Sequence, residues 1–176
     1  MTTTMVFTFV GADKPGLVEQ LAQTVGKHGG NWLESRMSEL AGQFAGIVQV
    51  AVSEAQQPAL RAALSALSGH DLTIIVAVAG TSGVGTDDCR NLRLSIIGND
   101  RPGIVREVAT ALAARRINVR EMETSISSAP MSGAPMFEAV VRIQVPRALD
   151  LAELNSQLDV IANALTLDID LEESLR

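Results

Sequence analysis

Gly11-Ala12-Asp13-Lys14-Pro15-Gly16-Leu17-Val18 recurs 87 positions later as Gly98-Asn99-Asp100-Arg101-Pro102-Gly103-Ile104-Val105. A repeat of this kind decides the fold before any single residue is weighed, because it divides the chain into like units. Every exchange within it keeps its chemistry except Ala12 against Asn99. The same spacing carries Asn31 onto Asn118 and Glu34 onto Glu121. Farther along, Leu72-Thr73 matches Leu165-Thr166 at a spacing of 93. The added length falls between residues 126 and 136, where Ser127–Pro135 is rich in turn formers.

Outward from each copy of the turn the pattern is the same. Met5–Val10 and Leu92–Ile97 are short runs rich in Val, Ile and Phe, suited to strands. After the turn, Leu17, Val18, Leu21, Ala22 and Val25 fall at helical spacing, as do Ile104, Val105, Val108, Ala109 and Leu112. Gly29 is suited to a left-handed cap on the first helix; the second ends less cleanly at Arg116. Two strands follow in each copy, at Asn31–Leu40 and Phe44–Val52, and at Asn118–Ser127 and Met136–Val145. Second helices over 57–68 and 149–165 then lead to closing strands at Leu72–Ala79 and Leu165–Leu171. The order strand, helix, strand, strand, helix, strand predicts an α+β fold. Each copy is expected to be a ferredoxin-like unit, a four-stranded antiparallel sheet with both helices on one face. The expected domains are 1–80 and 90–176, with 81–89 as a flexible linker. The glycines of that linker do not read as a phosphate loop, because a strand follows them and not a helix.

Composition narrows the function. Hydrophobic residues make up 47% of the chain and aromatic ones 3%, so the core must be largely aliphatic. The formal net charge is −6 and the basic residues are scattered among acidic ones, which argues against direct nucleic-acid binding. No apolar run is long enough to suggest a membrane span, and the first residues lack a signal-peptide pattern. A single cysteine, Cys89, allows no internal disulfide. A cytoplasmic protein is expected.

The turn offers two readings. Its glycines, Gly11, Gly16, Gly98 and Gly103, permit unusual backbone geometry, Asp13 and Asp100 are candidate helix caps, and Pro15 and Pro102 suit a first helical turn. The same parts present unpaired N–H groups at the positive end of a helix, a seat for a carboxylate. Asn31 and Asn118, at the start of the second strand of each copy, are expected to lie near that turn. No catalytic constellation emerges: His28 and His70 do not repeat, no metal-ligand spacing includes Cys89, and Glu34 and Glu121 are lone carboxylates. Trp32 reads as a core or interface residue and not as a ligand platform. Neither a metal nor a cofactor is expected.

The two glycine-rich turns, each followed by an asparagine after the helix, resemble the ligand-loop signature of the ACT domain family. Asn31–Gly46 and the longer second loop, Ala129–Phe137, are similar to the glycine cleavage system transcriptional repressor group within it. That resemblance implies a regulatory protein, not an enzyme. Its site would be lined by Gly11, Asp13, Gly16 and Asn31, with Gly98, Asp100, Gly103 and Asn118, and would bind a small amino acid, glycine first. It further implies control of glycine cleavage genes through a protein partner such as a transcription factor, and allows a homo-oligomer. The alternative is a regulatory or scaffolding subunit of an amino-acid or one-carbon enzyme. Ala12 against Asn99 predicts that the two turns differ as binding sites.

Overall fold

The computed structural model describes residues 1–78, 88–130 and 132–173. Most of the expected linker lies outside the described residues; Cys89, placed in it from the sequence, already belongs to a strand. The chain divides into two compact units, Met1–Gly83 and Val84–Arg176.

The first unit runs β1 (Thr2–Ala12), α1 (Leu17–Lys27), β2 (Asn31–Leu40), β3 (Gln43–Ser53), α2 (Gln57–Ala66) and β4 (Leu72–Val78). The second runs β5 (Cys89–Asn99), α3 (Ile104–Ala114), β6 (Asn118–Ser128), β7 (Pro135–Pro146), α4 (Leu151–Leu165) and β8 (Leu167–Glu173). Their sheets have the orders β2-β3-β1-β4 and β6-β7-β5-β8, antiparallel throughout. The expected fold is the observed one, twice.

Strand alternation explains why each sheet has one buried face. Met5, Phe7 and Phe9 of β1 and Val48, Val50 and Val52 of β3 are buried, while their neighbours Thr8, Val10 and Ile47 are exposed. Leu21 and Val25 of α1 and Leu60 and Leu64 of α2 complete that core. In the second unit Leu92, Leu94 and Ile96 pack with Ile104, Val108, Leu112, Leu154 and Leu158. Each such side chain contributes about 1.5–3 kcal/mol on leaving water, so the apolar stripes hold helices to sheet.

A feature the sequence did not reveal repeats after each asparagine. The register of β2 slips between Trp32 and Glu34, and that of β6 between Val119 and Glu121. Residues two apart on a regular strand share a face; one extra residue lets them part. Trp32 thereby turns into the core, its ring edge-on to Phe7 at 6.1 Å. Glu34 pairs with Gln49, on the open face, and Glu121 with Arg142.

The helix-to-last-strand junction corrects the sequence alignment. Gly11 pairs with Leu72 and Gly98 with Leu167, so the counterpart of Leu72 is Leu167 and not Leu165. The Leu-Thr coincidence misled because α4 runs to Leu165, whereas α2 stops at Ala66 and a loop precedes β4. The longer hairpin is where it was expected: β2 and β3 are joined by Ala41-Gly42, both at positive φ, and β6 and β7 by residues 129–134.

Candidate functional site

Both glycine turns connect the first strand of a unit to its first helix, and both reach the helix through a left-handed glycine. Gly16 (φ 90°, ψ −5°) and Gly103 (φ 99°, ψ −6°) occupy the capping position. Only glycine adopts that geometry without strain. It has no side chain to cap with, so the first-turn N–H groups of α1 and α3 gain no side-chain cap. Two expectations change here. Asp13 and Asp100 are not caps; their N–H groups instead donate to Gly42 O (3.0 Å) and Pro135 O (2.9 Å), tying each turn to its hairpin. Pro15 and Pro102 precede the helices and do not begin them.

Gly11 and Gly98 have a different duty. A Cβ on Gly11 would stand 2.6 Å from Asp71 O, and one on Gly98 would stand 2.4 Å from Leu167 Cδ2. They are the points where the strand before the turn meets the strand that closes the sheet. Both are close-approach glycines at the root of the turn.

Asn31 and Asn118 are not near the turn of their own unit. Asn31 pairs with Ala51, which pairs with Thr4, whereas Gly11 pairs with Phe44, which pairs with Glu39. Seven residues of β1 separate the two levels, roughly 23 Å at a strand's rise of about 3.3 Å per residue. Asn118, level with Asn91 through Gln144, stands equally far from Gly98. The reason is topological: α1 and α3 run back along the sheet, so the next strand starts at its other end.

At the first turn there is a cleft of about 410 Å³. Lys14, Pro15, Gly16, Leu17 and Gln20 form one side; Leu67, Gly69, Asp71 and Leu72, from the α2–β4 junction, form the other. Lys14 Nζ donates to Asp71 Oδ2 at 2.6 Å across it, with both side chains more than half exposed. Ala12 N–H donates to Asp71 O (3.1 Å), which holds the junction against the turn. Of the residues chosen from the sequence, Gly16 lines this cleft. The others missed were Lys14, Gln20 and Asp71. Lys14 was legible as the charged residue of the turn; Asp71 was not, because only the register of β4 brings it there.

The second turn has a different arrangement. Arg101 Nη2 donates to Glu107 Oε2 at 2.7 Å and Nη1 to Oε1 at 3.3 Å. This fork, with help from Arg106, holds the Glu107 carboxyl below the usual carboxylate range, and Glu107 in turn raises Arg101.

The remaining candidates have local partners. Glu34 lies 3.6 Å from Arg36, and Glu121 accepts from Arg142 at 2.7 Å. His28 Nδ1 lies 2.9 Å from Thr24 O at the end of α1. Among the described residues no group of His, Cys, Asp and Glu is placed to hold a metal ion, and no helix is long and apolar enough to cross a membrane.

Two four-stranded βαββαβ units, each with a left-handed glycine before its first helix, define a tandem of ferredoxin-like α+β domains. The sequence profile of the ACT domain matches residues 3–79 and again 92–159. The chain belongs to the ACT domain family, as a tandem of two domains. An unknown protein from Galdieria sulphuraria is similar over the whole length, with 31% identity, a TM-score of 0.83, and 99% and 100% of the two chains covered. A protein provisionally named a glycine cleavage system transcriptional repressor is 21% identical, with a TM-score of 0.73 over 100% of this chain and 99% of that one. A formyltetrahydrofolate deformylase from Pseudomonas putida shares 21% identity over 48% of this chain and 29% of its own, with a TM-score of 0.41. No curated protein matches the sequence significantly.

Proposed function

We propose that this protein is a cytoplasmic amino-acid-responsive regulator that binds a small neutral amino acid at the first turn. The observation that carries the reading is the cleft beside Gly16, where uncapped helix N–H groups, a cation and a carboxylate converge. A zwitterion has the matching charges. Its carboxylate would meet the first-turn N–H groups of α1 and Lys14, and its ammonium group would meet Asp71. Leu17, Leu67 and Leu72 leave apolar wall for a short side chain, and the volume is within the range of small-molecule sites. Asn31 is too distant to join the site at its own turn.

Regulation follows by linkage: a ligand that favours one arrangement of the protein changes affinity for a partner that prefers it. The name of the similar full-length protein supports glycine as the first ligand to try and the glycine cleavage genes as the target. The net charge of −6 supports action through a protein such as a transcription factor and not through DNA.

Calorimetric titration of the full chain with glycine, alanine and serine tests the ligand. Saturable binding is expected, weakened about tenfold or more by Lys14→Met or Asp71→Asn, in keeping with loss of a charge-assisted bond. A folded protein that binds none of them overturns the sensing role. Affinity purification with and without ligand tests the partner: a transcription factor supports the proposal, and a metabolic enzyme as the ligand-dependent partner replaces it with the subunit reading.

A further inference from the structure

The helices cover one face of each sheet, and the two bare faces carry different residues. On the first, Val10, Ile47 and Ile75 are 45%, 48% and 65% exposed. The register makes them adjoin. Ile47 pairs with Thr8 and Thr8 with Ile75; in the next row Gln49 pairs with Val6 and Val6 with Ala77. Among the described residues the charges on this face are Glu34, level with Gln49, and Arg36, level with Ile47, both on the edge strand β2. The fold does not require so apolar a surface. At the row of Glu34, Gln49, Val6 and Ala77 the second sheet has Glu121, Arg142, Arg93 and Glu172, linked in ion pairs of 2.7 Å and 3.7 Å. A face that could carry charge and is apolar at its centre marks an interaction surface.

We infer that two copies of this chain meet through the bare face of the first sheet, related by a twofold axis across the strands, with Glu34 of each against Arg36 of the other. Charge complementarity selects this arrangement. A twofold axis that passes between the two rows lays each row of one copy over the other row of its partner. Glu34 then meets Arg36 twice, and the large Ile75 lies over the small Ala77. Within one chain Glu34 and Arg36 lie 3.6 Å apart with more than half of each side chain exposed, so both can reach a partner. A twofold axis along the strands would instead lay β2 over β4 and set both charges against apolar Ile75 and Ala77, a costly burial. The first arrangement also suits two twisted sheets packed about 10 Å apart at about −30°. The area is sufficient. Over the seven residues of β4, four strands make a face about 19 Å wide and about 23 Å long. Two such footprints come to on the order of 900 Å², and their pleats to more, which reaches the roughly 1,000 Å² of a specific interface.

Analytical ultracentrifugation of the full chain from about 1 to about 200 μM tests this, with a dimer of micromolar dissociation constant expected. Ile47→Arg and Ile75→Arg, two independent changes at exposed positions, are each expected to weaken it at least about tenfold, with circular dichroism unchanged as the sign of an intact fold. Ile97→Arg, on the bare face of the second sheet and 45% exposed, is expected to leave the dimer as it was. Glu34→Arg and Arg36→Glu are each expected to weaken it about tenfold, because like charges then meet across the axis. The double reversal exchanges the charges of both pairs and is expected to restore it. A chain that stays monomeric throughout overturns the inference, whether the face then serves another protein or none. So does a dimer that survives both isoleucine changes, or one that Ile97→Arg disrupts equally. A dimer that the double reversal fails to restore overturns the reciprocal pairing.

Discussion

The first and second units share a strand order and a glycine-capped first helix, and differ in the side chains set around them. Over Gly16 there is open space beside a cleft, with Lys14 and Asp71 paired across it; over Gly103 stand Arg106 and Glu107. The cores differ in the same spirit. Phe7, Phe9, Phe44 and Trp32 pack in the first unit, where the corresponding places in the second hold Leu94, Ile96, Phe137 and Val119. Duplication therefore preserved the frame, strand order, register slip and glycine-capped helix alike, because each depends on backbone geometry. Side chains diverged both in the core and around the turn, and that is where the units became unequal.

The largest effect that would break the comparison lies in the aromatic core. Phe7 is fully buried and edge-on to Trp32, so Phe7→Ala should cost the first unit about 3–5 kcal/mol. Trp32 is the chain's single tryptophan and reports on that unit alone, so fluorescence-detected urea unfolding is the measurement. A midpoint that does not move would mean the first core does not depend on its aromatic contact.

The paired glycines come next. Gly11→Ala drives a Cβ against the backbone oxygen of Asp71, whereas Gly98→Ala chiefly meets a side-chain methyl of Leu167. A backbone group yields less easily than a side chain. Gly11→Ala should therefore cost about 1–3 kcal/mol and Gly98→Ala about 1 kcal/mol or less. Thermal unfolding followed by circular dichroism, with Trp32 fluorescence for the first unit, separates them; equal costs would remove the distinction.

A smaller and favourable change tests the helix ends. Gly29 (φ 67°) corresponds to Arg116 (φ 57°), which holds a left-handed conformation without glycine's freedom. Arg116→Gly should stabilise the second unit by about 0.5–1 kcal/mol, read as a raised midpoint for the transition that Trp32 does not report.

The smallest effect concerns pH. The Glu107 carboxyl is held down first by its hydrogen bonds to Arg101 and then by the charges of Arg101 and Arg106. A carboxyl with a lowered folded value contributes stability that is present above its unfolded value and lost as pH falls through the folded one. The contribution should thus be intact at neutral pH and disappear only below the ordinary carboxylate range. Carbon-detected NMR titration should place the Glu107 midpoint below that of an unpaired glutamate, with Arg101→Met moving it back up. Gln20, at the matching position of the first unit, has no charge to titrate.

By itself the sequence determined that the chain is a tandem repeat, the order of its elements and the place of the longer hairpin. Each of these is written locally, in apolar periodicity, glycine placement and the 87-residue spacing of the turn. Only the tertiary structure decided that Asn31 and Asn118 lie at the far end of the sheet from their own turns, since that depends on the helix running back between them. It alone brought Asp71 across from a junction more than fifty residues away to face Lys14, because strand register is a long-range property. It also showed that Asp13 and Asp100 tie hairpins and do not cap helices. The turns that first revealed the repeat share a left-handed glycine and differ in the ion pair beside it, Lys14 with Asp71 in the first unit and Arg101 with Glu107 in the second.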